Sequence, residues 1–196
     1  DNHYLLLMIR AQRNDKELIL NILISSFDDN KSVNYIINQK NKRSQRIRGL
    51  MEYSYNLCEL FGDIFISEDK SGCALIMKPD KKKATIKSIL LDVKFIFQCL
   101  GLSNIKKAMN REAKIKQVHP PGLLYYLWFI GVDPENQNIG VGSQLMSEVI
   151  SEAKNQNRII CLETSTLKNI PWYEKFGFTI YHEFDFGYKL FCMKRE

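Results

Sequence analysis

The sequence predicts an α/β (α+β) fold in which helices flank a sheet, and three observations support this prediction. An apolar run from Leu123 to Val132 is typical of a buried central strand, and a helical pattern through Glu152 follows it after a short turn. Amphipathic stretches at helical spacing precede the run. Two short apolar segments near the C-terminus, Thr179 to Glu183 and Tyr188 to Met193, are typical of a hairpin.

For the N-terminal part of the chain, the sequence predicts a strand, helices and a first hairpin. Met8 to Ala11 is a short strand, and a helix is expected from Lys16 to Ser25. A helix from Arg43 to Phe61 carries an apolar stripe formed by Ile47, Leu50, Met51, Ser54, Leu57, Cys58 and Phe61. The hairpin pairs Ile64 to Ser67 with Cys73 to Met77.

Two further helices are predicted before the central strand. Lys83 to Leu100 has helical spacing, with one side lined by Ile86, Ile89, Leu90, Val93, Phe97 and Leu100. Gly101 ends this helix, and Ser103 or Asn104 caps another that runs towards Gln117.

The turn after the central strand has the composition of an anion-binding site. Gly140 and Gly142 stand where the following helix begins. The first amides of a helix lack intrahelical partners, and the helix dipole makes that end partly positive. Glycines remove the side chains that would keep a phosphate away from those amides. We interpret the turn as a pyrophosphate site, although glycine pairs also end helices and form plain turns.

Two familiar phosphate loops do not fit this turn. The nucleoside-triphosphate loop requires Lys and then Ser or Thr after a glycine, and neither glycine is followed by that pair. The dinucleotide loop requires Gly or Ala three residues after Gly142, where Leu145 stands. The remaining pattern is [QR]-x-x-G-x-[GA], formed by Gln137, Asn138, Ile139, Gly140, Val141 and Gly142, with Ser143 directly after it.

A second pattern follows this loop along the chain. After a short apolar strand, Ile159 to Leu162, the chain contains N-x-x-x-Y-x-x-x-G-F, with Asn169 and Tyr173 as its first two fixed positions. Together the two patterns resemble the GNAT superfamily of N-acetyltransferases. The resemblance is specific from about Leu123 to the C-terminus, and before that it rests on the order of elements.

The resemblance implies the GNAT fold, a mixed and mainly antiparallel central sheet with splayed middle strands. In that family the splay exposes backbone groups to the pantetheine arm, here those of Ile130, Gly131 and Val132. The family core has little between its third and fourth strands, so residues 81–118 are expected to be a helical insert within one domain, residues 1–196. The size of this insert resembles that of puromycin-acetyltransferase-like members.

The resemblance also implies acetyl-CoA as cosubstrate. The loop from Gln137 to Ser143 is expected to hold its pyrophosphate, the Asn169 amide to contact the CoA arm, and the Tyr173 hydroxyl to lie near the thioester sulfur. No metal is expected, because the three histidines share no ligand spacing and no C-x-x-C pair occurs.

Acetyl transfer to an amine requires a neutral amine, donors for the oxyanion and a proton for the departing thiolate. Tyr173 is the expected acid, because a phenol with a reference pKa of about 10 is protonated at neutral pH. A backbone N–H at Ile130 or a neighbour is expected to stabilise the oxyanion. The central strand contains no acid, so Glu163 is the candidate base; the alternative is an ordinary carboxylate at a strand end.

The acceptor is expected to be a small-molecule amine rather than a peptide. Aromatic residues offer walls for it, although such residues also fill cores: Tyr53, Tyr55, Tyr125, Tyr126, Trp128 and Phe186, with Trp172 beside the acid. The protein is expected to be a monomer or a homodimer with no membrane partner. A CoA-binding or partner-binding domain that lacks catalysis is the alternative function.

Basic residues concentrate in the expected insert. From Lys78 to Lys116 there are eleven basic and three acidic residues, while the whole chain has a net charge of +6. A solvated face explains such a segment. An anionic partner, the 3′-phosphate of CoA or nucleic acid are the other interpretations.

A cytoplasmic location is expected. The five cysteines are widely spaced and lie in apolar patterns, as small buried residues do in a reducing compartment. No apolar run reaches the roughly 18 residues that span a bilayer. The stretch Tyr4 to Leu7 lacks the basic front of a signal peptide.

Overall fold

The computed structural model describes residues 8–40 and 42–196. In this part of the chain, strands form one sheet in the order β1-β2-β3-β4-β5-β7-β6. They are β1 Met8–Arg10, β2 Gly62–Ser67, β3 Gly72–Met77, β4 Leu124–Val132, β5 Ile159–Thr164, β6 Thr179–Asp185 and β7 Lys189–Arg195. The expectation for the stretch Tyr4 to Leu7 lies outside the described residues.

The α-helices of the described residues are α1 Lys16–Phe27, α2 Lys31–Ile36, α3 Arg43–Phe61, α4 Ile86–Phe95, α5 Ile105–Gln117, α6 Val141–Asn155 and α7 Ile170–Lys175. A π-helical turn, Ile96–Leu100, continues α4. Helices α4 and α5 lie between β3 and β4, where the sequence predicts two helices. The extent of the domain stays a prediction.

The pairing of the described strands is parallel between β4 and β5 and antiparallel elsewhere. The predicted α/β fold with a mixed, mainly antiparallel sheet is therefore confirmed. The parallel pair follows from the connection: α6 carries the chain back across the sheet, so β5 starts beside the start of β4.

Two apolar cores lie on the two faces of the sheet. Side chains alternate along a strand, so Leu75 and Ile76 of β3 point to opposite faces. Leu75 packs with the stripes of α1 and α3, represented by Leu23 and Met51. Ile76 packs with α6 and α7 on the other face. The central strand β4 therefore contacts both layers. The candidate site lies along this strand.

The buried carboxylate of Asp63 in β2 is the centre of an ionic network near the α6 layer. Its carboxylate accepts hydrogen bonds from Arg10 Nη1 at 2.6 Å and Tyr125 Oη at 2.9 Å, and pairs with Lys78 Nζ at 2.6 Å. Burial alone would raise the pKa of Asp63, but the Lys78 and Arg10 bonds outweigh it and lower that pKa. The carboxylate is thus a structural anion.

We expect Asp63→Ala to lower the free energy of unfolding by about 3 to 5 kcal/mol, because the largely buried Lys78 ammonium loses its counter-ion. The contribution of Asp63 is present above the unfolded-state pKa near 4 and is lost as pH falls through the lower folded-state pKa. Urea unfolding at pH 7 measures it. The control is Asp185→Ala, an exposed carboxylate beside Lys189; equal losses in both variants would contradict the assignment.

Candidate active site

Strands β4 and β5 separate part-way along their length. Their pairing runs from Leu124↔Ile159 to Tyr126↔Cys161 and is not continued in the described residues. On its other edge β4 stays paired with β3 as far as Val132. The backbone groups of β4 beyond Tyr126 that face β5 therefore have no strand partner. The place where the two strands stop pairing is called the cleft. Ile130, Gly131 and Val132 lie along this open part of β4.

The loop at the end of β4 is exposed and held open by its own side chains. The Asp133 carboxylate accepts from the Glu135 amide at 3.0 Å, and Gln137 Nε2 donates to the Val132 carbonyl at 3.1 Å. Asn138 has a φ of 65°, and the Ile139 side chain is 70% exposed. These contacts turn the loop outwards and bring it to the start of α6.

The first turn of α6 offers free donors. Gly140 is its N-cap residue, with a φ of 101°, and no side chain caps the helix. The amides of Val141, Gly142 and Ser143 lie in this turn and have no intrahelical acceptors. A Cβ at Gly140 would meet nothing within 4 Å. An open surface, uncapped amides and a helix dipole fit a diphosphate.

Two glycines with positive φ allow a matched test. We expect Gly140→Ala to weaken CoA binding about 10- to 100-fold and to cost about 1 to 2 kcal/mol of unfolding free energy, because its φ of 101° disfavours a Cβ. Gly187→Ala is the control: its φ is 83° and its Cβ would also meet nothing within 4 Å, but it lies in the turn between β6 and β7. Calorimetric titration with CoA measures both; an equal loss of CoA affinity in Gly187→Ala would contradict the prediction.

Helix α7 lies against the first turn of α6. Trp172 Nε1 donates to Ser143 Oγ at 3.2 Å. This contact brings both sequence patterns together, although 29 positions separate the two residues. Asn169 precedes α7 and its side chain makes no capping hydrogen bond.

Tyr173 lies in the core on the α6 face and is 7% exposed. Its ring packs edge-on against Trp172 and Phe178, with centroids 5.0 and 5.8 Å away. Burial raises the pKa of the Tyr173 phenol well above its usual value. The phenol is therefore a proton donor at neutral pH and not a base.

Glu163 is buried on the opposite face of the sheet. Its side chain is 5% exposed, and Oε2 accepts from the Tyr126 hydroxyl at 2.5 Å. Oε1 lies 3.9 Å from His119 Nε2, and both atoms are buried without a hydrogen-bond partner in the described part of the chain. An unsatisfied buried carboxylate oxygen is costly, so the protonated form gains. Burial raises the pKa of Glu163 to about 7.

Helix α5 covers this cluster with a buried cation. Arg111 is 6% exposed, and donates to Tyr188 Oη at 3.1 Å, to Ser32 Oγ at 2.6 Å and to Glu112 at 2.6 Å. Its charge lowers the pKa of Glu163 while Glu112 raises it, and both effects are smaller than burial. Burial also lowers the pKa of His119. Within this cluster only the Glu163 carboxyl has a pKa near neutrality, because burial raises the pKa of the Tyr126 phenol well above its usual value.

Sequence reasoning missed part of this cluster. Tyr126 was expected only as a wall, although strand alternation places it opposite Cys161 and on the face of Glu163. His119 precedes β4 in a loop, and Arg111 is one of many basic residues of its segment, so no sequence signal distinguishes either. The structure brings all of them to one face of the open end of β4.

Some of the aromatic residues expected to line the acceptor site lie together near β4, and others do not. Tyr126, Trp128 and Tyr53 form a continuous aromatic surface, with centroid distances of 6.4 Å and 6.3 Å. Tyr55 and Tyr125 fill the two cores instead, because Tyr125 is needed to hold Asp63. For these two residues the expected role was wrong. Phe186 packs on Tyr35 and Tyr188.

Other chemistries find little support among the described residues. No group of three or more His, Cys, Asp or Glu in this part of the chain is arranged to hold a metal ion. Every cysteine described is buried and free. No described helix has both the length and the apolar character needed to cross a membrane.

Comparisons with known proteins relate part of this chain to a family. Residues 102–180 match the family model of the acetyltransferase (GNAT) domain. A probable serine/threonine-protein kinase of Dictyostelium discoideum is 30% identical over 110 residues, which are 53% of this chain and 11% of that protein. The chain therefore spans about a tenth of the length of this curated relative.

Solved structures share the fold across nearly the whole chain. A histone acetyltransferase HPA2 and related acetyltransferase from Corynebacterium glutamicum has a TM-score of 0.70 at 20% identity, with 96% of this chain and 94% of that chain covered. Arylalkylamine N-acetyltransferase 2 of Aedes aegypti has a TM-score of 0.66 at 14% identity, with 100% and 99% covered. The resemblance to the puromycin-acetyltransferase-like subgroup stays a prediction.

Proposed function

We propose that the chain is a GNAT N-acetyltransferase, as the family match of residues 102–180 supports, and that it moves an acetyl group from acetyl-CoA to a primary amine of a small molecule, by direct attack in a ternary complex. The observation that carries the proposal is the cleft between β4 and β5, where Tyr126↔Cys161 is the last pair. The glycine loop lies at the end of β4, and Glu163 lies on β5 beyond the last pair.

Acetyl-CoA lies along the open edge of β4 in this proposal. The amides from Gln137 to Ser143 hold its diphosphate, as the uncapped first turn of α6 supports. The pantetheine arm extends along the edge of β4 that β5 leaves uncovered, at Ile130, Gly131 and Val132. The Val132 carbonyl already accepts from Gln137 Nε2. Asn169 contacts the arm from the start of α7. The complete proposed set is Ile130, Gly131, Val132, Gln137, Asn138, Ile139, Gly140, Val141, Gly142, Ser143, Asn169 and Tyr173.

The two candidate catalytic groups lie on opposite faces of the sheet. Glu163 and Tyr126 face the α1 and α3 layer, whereas Tyr173 belongs to the core under α6. In a continuous sheet the strands would separate them; in this proposal a thioester reaches both faces at the cleft, where the pairing of β4 with β5 ends. A thioester in the cleft has a base on one side and an acid on the other.

Each proton then has a defined path. Glu163 accepts a proton from the substrate ammonium, and the nitrogen lone pair attacks the thioester carbonyl. A backbone N–H at Ile130 or a neighbour stabilises the oxyanion. The C–S bond breaks as the carbonyl reforms, and Tyr173 donates its proton to the thiolate. The attached nitrogen loses its surplus proton, which restores the Tyr173 phenol, and Glu163 releases its proton to solvent. A base with a pKa of about 7 is matched to neutral pH.

The acceptor side supports a small aromatic or aliphatic amine. The surface of Tyr126, Trp128 and Tyr53 offers flat contacts, and Phe95 of α4 stacks on Tyr53 at 4.2 Å. Helix α5 covers the same side through Arg111. An aromatic surface covered by a helix suits a small amine better than an extended peptide. The arylalkylamine acetyltransferase with the same fold supports this choice.

A free-thiol release assay with acetyl-CoA tests the proposal. The amines are arylalkylamines, polyamines, puromycin and short peptides. We expect turnover with at least one small amine and less with peptides. Turnover with peptides alone would overturn the acceptor class. CoA binding without transfer to any amine would favour a noncatalytic CoA-binding domain.

A further inference from the structure

Helix α4 and the turn after it expose a row of large apolar side chains. Ile86, Ile89, Leu90, Val93 and Phe97, here called the α4 ridge, are between 45% and 81% exposed. Their spacing places them on one side of the helix. They are five of the eleven exposed large apolar residues in the described part of the chain. Such a concentration is unusual on a solvated surface.

The orientation of α4 is set by its other side. Phe95 stacks on Tyr53 of α3 with centroids 4.2 Å apart, and the Tyr53 hydroxyl donates to Asp92 at 2.6 Å. Ser88 is buried and caps the helix with Thr85. Through these contacts the side of α4 that carries Ser88, Asp92 and Phe95 faces the rest of the protein. The ridge cannot rotate inwards without breaking them.

Lysines lie before the ridge and beside it. Lys81, Lys82 and Lys83 stand three to five residues before Ile86, are exposed, and take part in no ion pair among the described residues. Lys87 and Lys94 flank the ridge along its length and pair at 3.8 and 3.4 Å with carboxylates of α3. The acidic residue of α4, Asp92, is held by Tyr53. The ridge therefore combines apolar side chains with a positive rim.

We propose that the α4 ridge docks on an anionic lipid surface. A helix that lies in the membrane interface inserts its apolar side chains between the lipids, while adjacent lysines contact the headgroups. The ridge carries both features. A second copy would bring two positive rims together, and nucleic acid offers no apolar surface for five such side chains. The inference is independent of the proposed acetyl transfer.

Vesicle co-sedimentation at low and high salt tests the proposal. The probes are phosphatidylcholine vesicles with and without phosphatidylserine. We expect about 10-fold or stronger binding to the anionic vesicles, reduced by salt. Leu90→Gln with Phe97→Gln, and separately Lys82→Gln with Lys83→Gln, are each expected to reduce this binding about 10-fold or more.

The control is Met109→Gln, because Met109 is 65% exposed on α5 and lies outside the ridge. It is expected to bind vesicles as the unmodified protein does. Absence of binding to anionic vesicles, or equal binding after Leu90→Gln with Phe97→Gln, would overturn the proposal. A dimer in light scattering that this double variant abolishes would assign the ridge to a second copy instead.

Discussion

Glu163→Gln is expected to lower kcat/KM by about 100- to 10,000-fold, the range for loss of a general base. Glutamine keeps the shape of the side chain and an oxygen that accepts from Tyr126, but it cannot take the proton of the substrate ammonium. The measurement is thiol release at saturating acetyl-CoA. CoA affinity is the control and is expected to stay within about 3-fold, since Glu163 lies on the face away from Tyr173.

The pH dependence gives the same assignment a sharper test. A base with a pKa of about 7 must be ionised, so kcat/KM of the unmodified enzyme rises as pH increases through about 7. In Glu163→Gln this acidic limb is expected to move up to the pKa of the substrate amine itself. An acidic limb that persists at the same pH would show that another group is the base.

The same substitution is expected to stabilise the protein at high pH. Burial raises the pKa of Glu163 from 4.5 to about 7. Below pH 4.5 the carboxyl is protonated in both states and costs nothing; above pH 7 the folded state carries its buried charge at a cost of roughly 3 kcal/mol. Glu163→Gln should therefore raise Tm at pH 8.5 and leave it unchanged near pH 4. A lower Tm at pH 8.5 would contradict the buried charge.

Tyr173→Phe is expected to lower kcat by about 10- to 1000-fold, because the thiolate then departs without a proton donor. The ring contacts with Trp172 and Phe178 are kept, so CoA affinity and Tm are expected to change little. Steady-state kinetics and CoA titration measure both quantities. The matched control is Tyr55→Phe, a tyrosine 3% exposed in the other core. Unchanged turnover in Tyr173→Phe would remove Tyr173 from the mechanism.

Local patterns explain how much of the fold could be predicted. The apolar run before the glycine loop and the stripe of Arg43–Phe61 each depend on neighbouring residues, so the central strand and α3 lie where the sequence places them. The glycine requirement is also local, since Gly140 alone satisfies a φ of 101° at the start of α6. The direction of the apolar side of α4 is not local. Its spacing indicates an amphipathic helix, but contacts of Phe95 and Asp92 with α3 turn that side to solvent.

The candidate site also contains residues that the sequence identified and residues that only the structure identified. Asn169, Tyr173 and the glycine loop were found from their spacing, and Glu163 from its place after an apolar strand. His119 and Arg111 were not identified from the sequence, because their place in the site depends on the residues packed around them. Burial, not residue type, moves the pKa of Glu163 to about 7, and burial is a property of the packed molecule.

The sequence by itself determined the elements, the glycine turn and the family pattern, because hydrophobic period and backbone freedom are set within a few residues. Only the tertiary structure decided where β4 and β5 part, that Glu163 shares its burial with Tyr126 and His119, and that α4 presents its apolar side outwards. These features arise from residues that are distant in the chain and meet across the sheet. The spacing of neighbouring residues does not specify which distant residues come into contact.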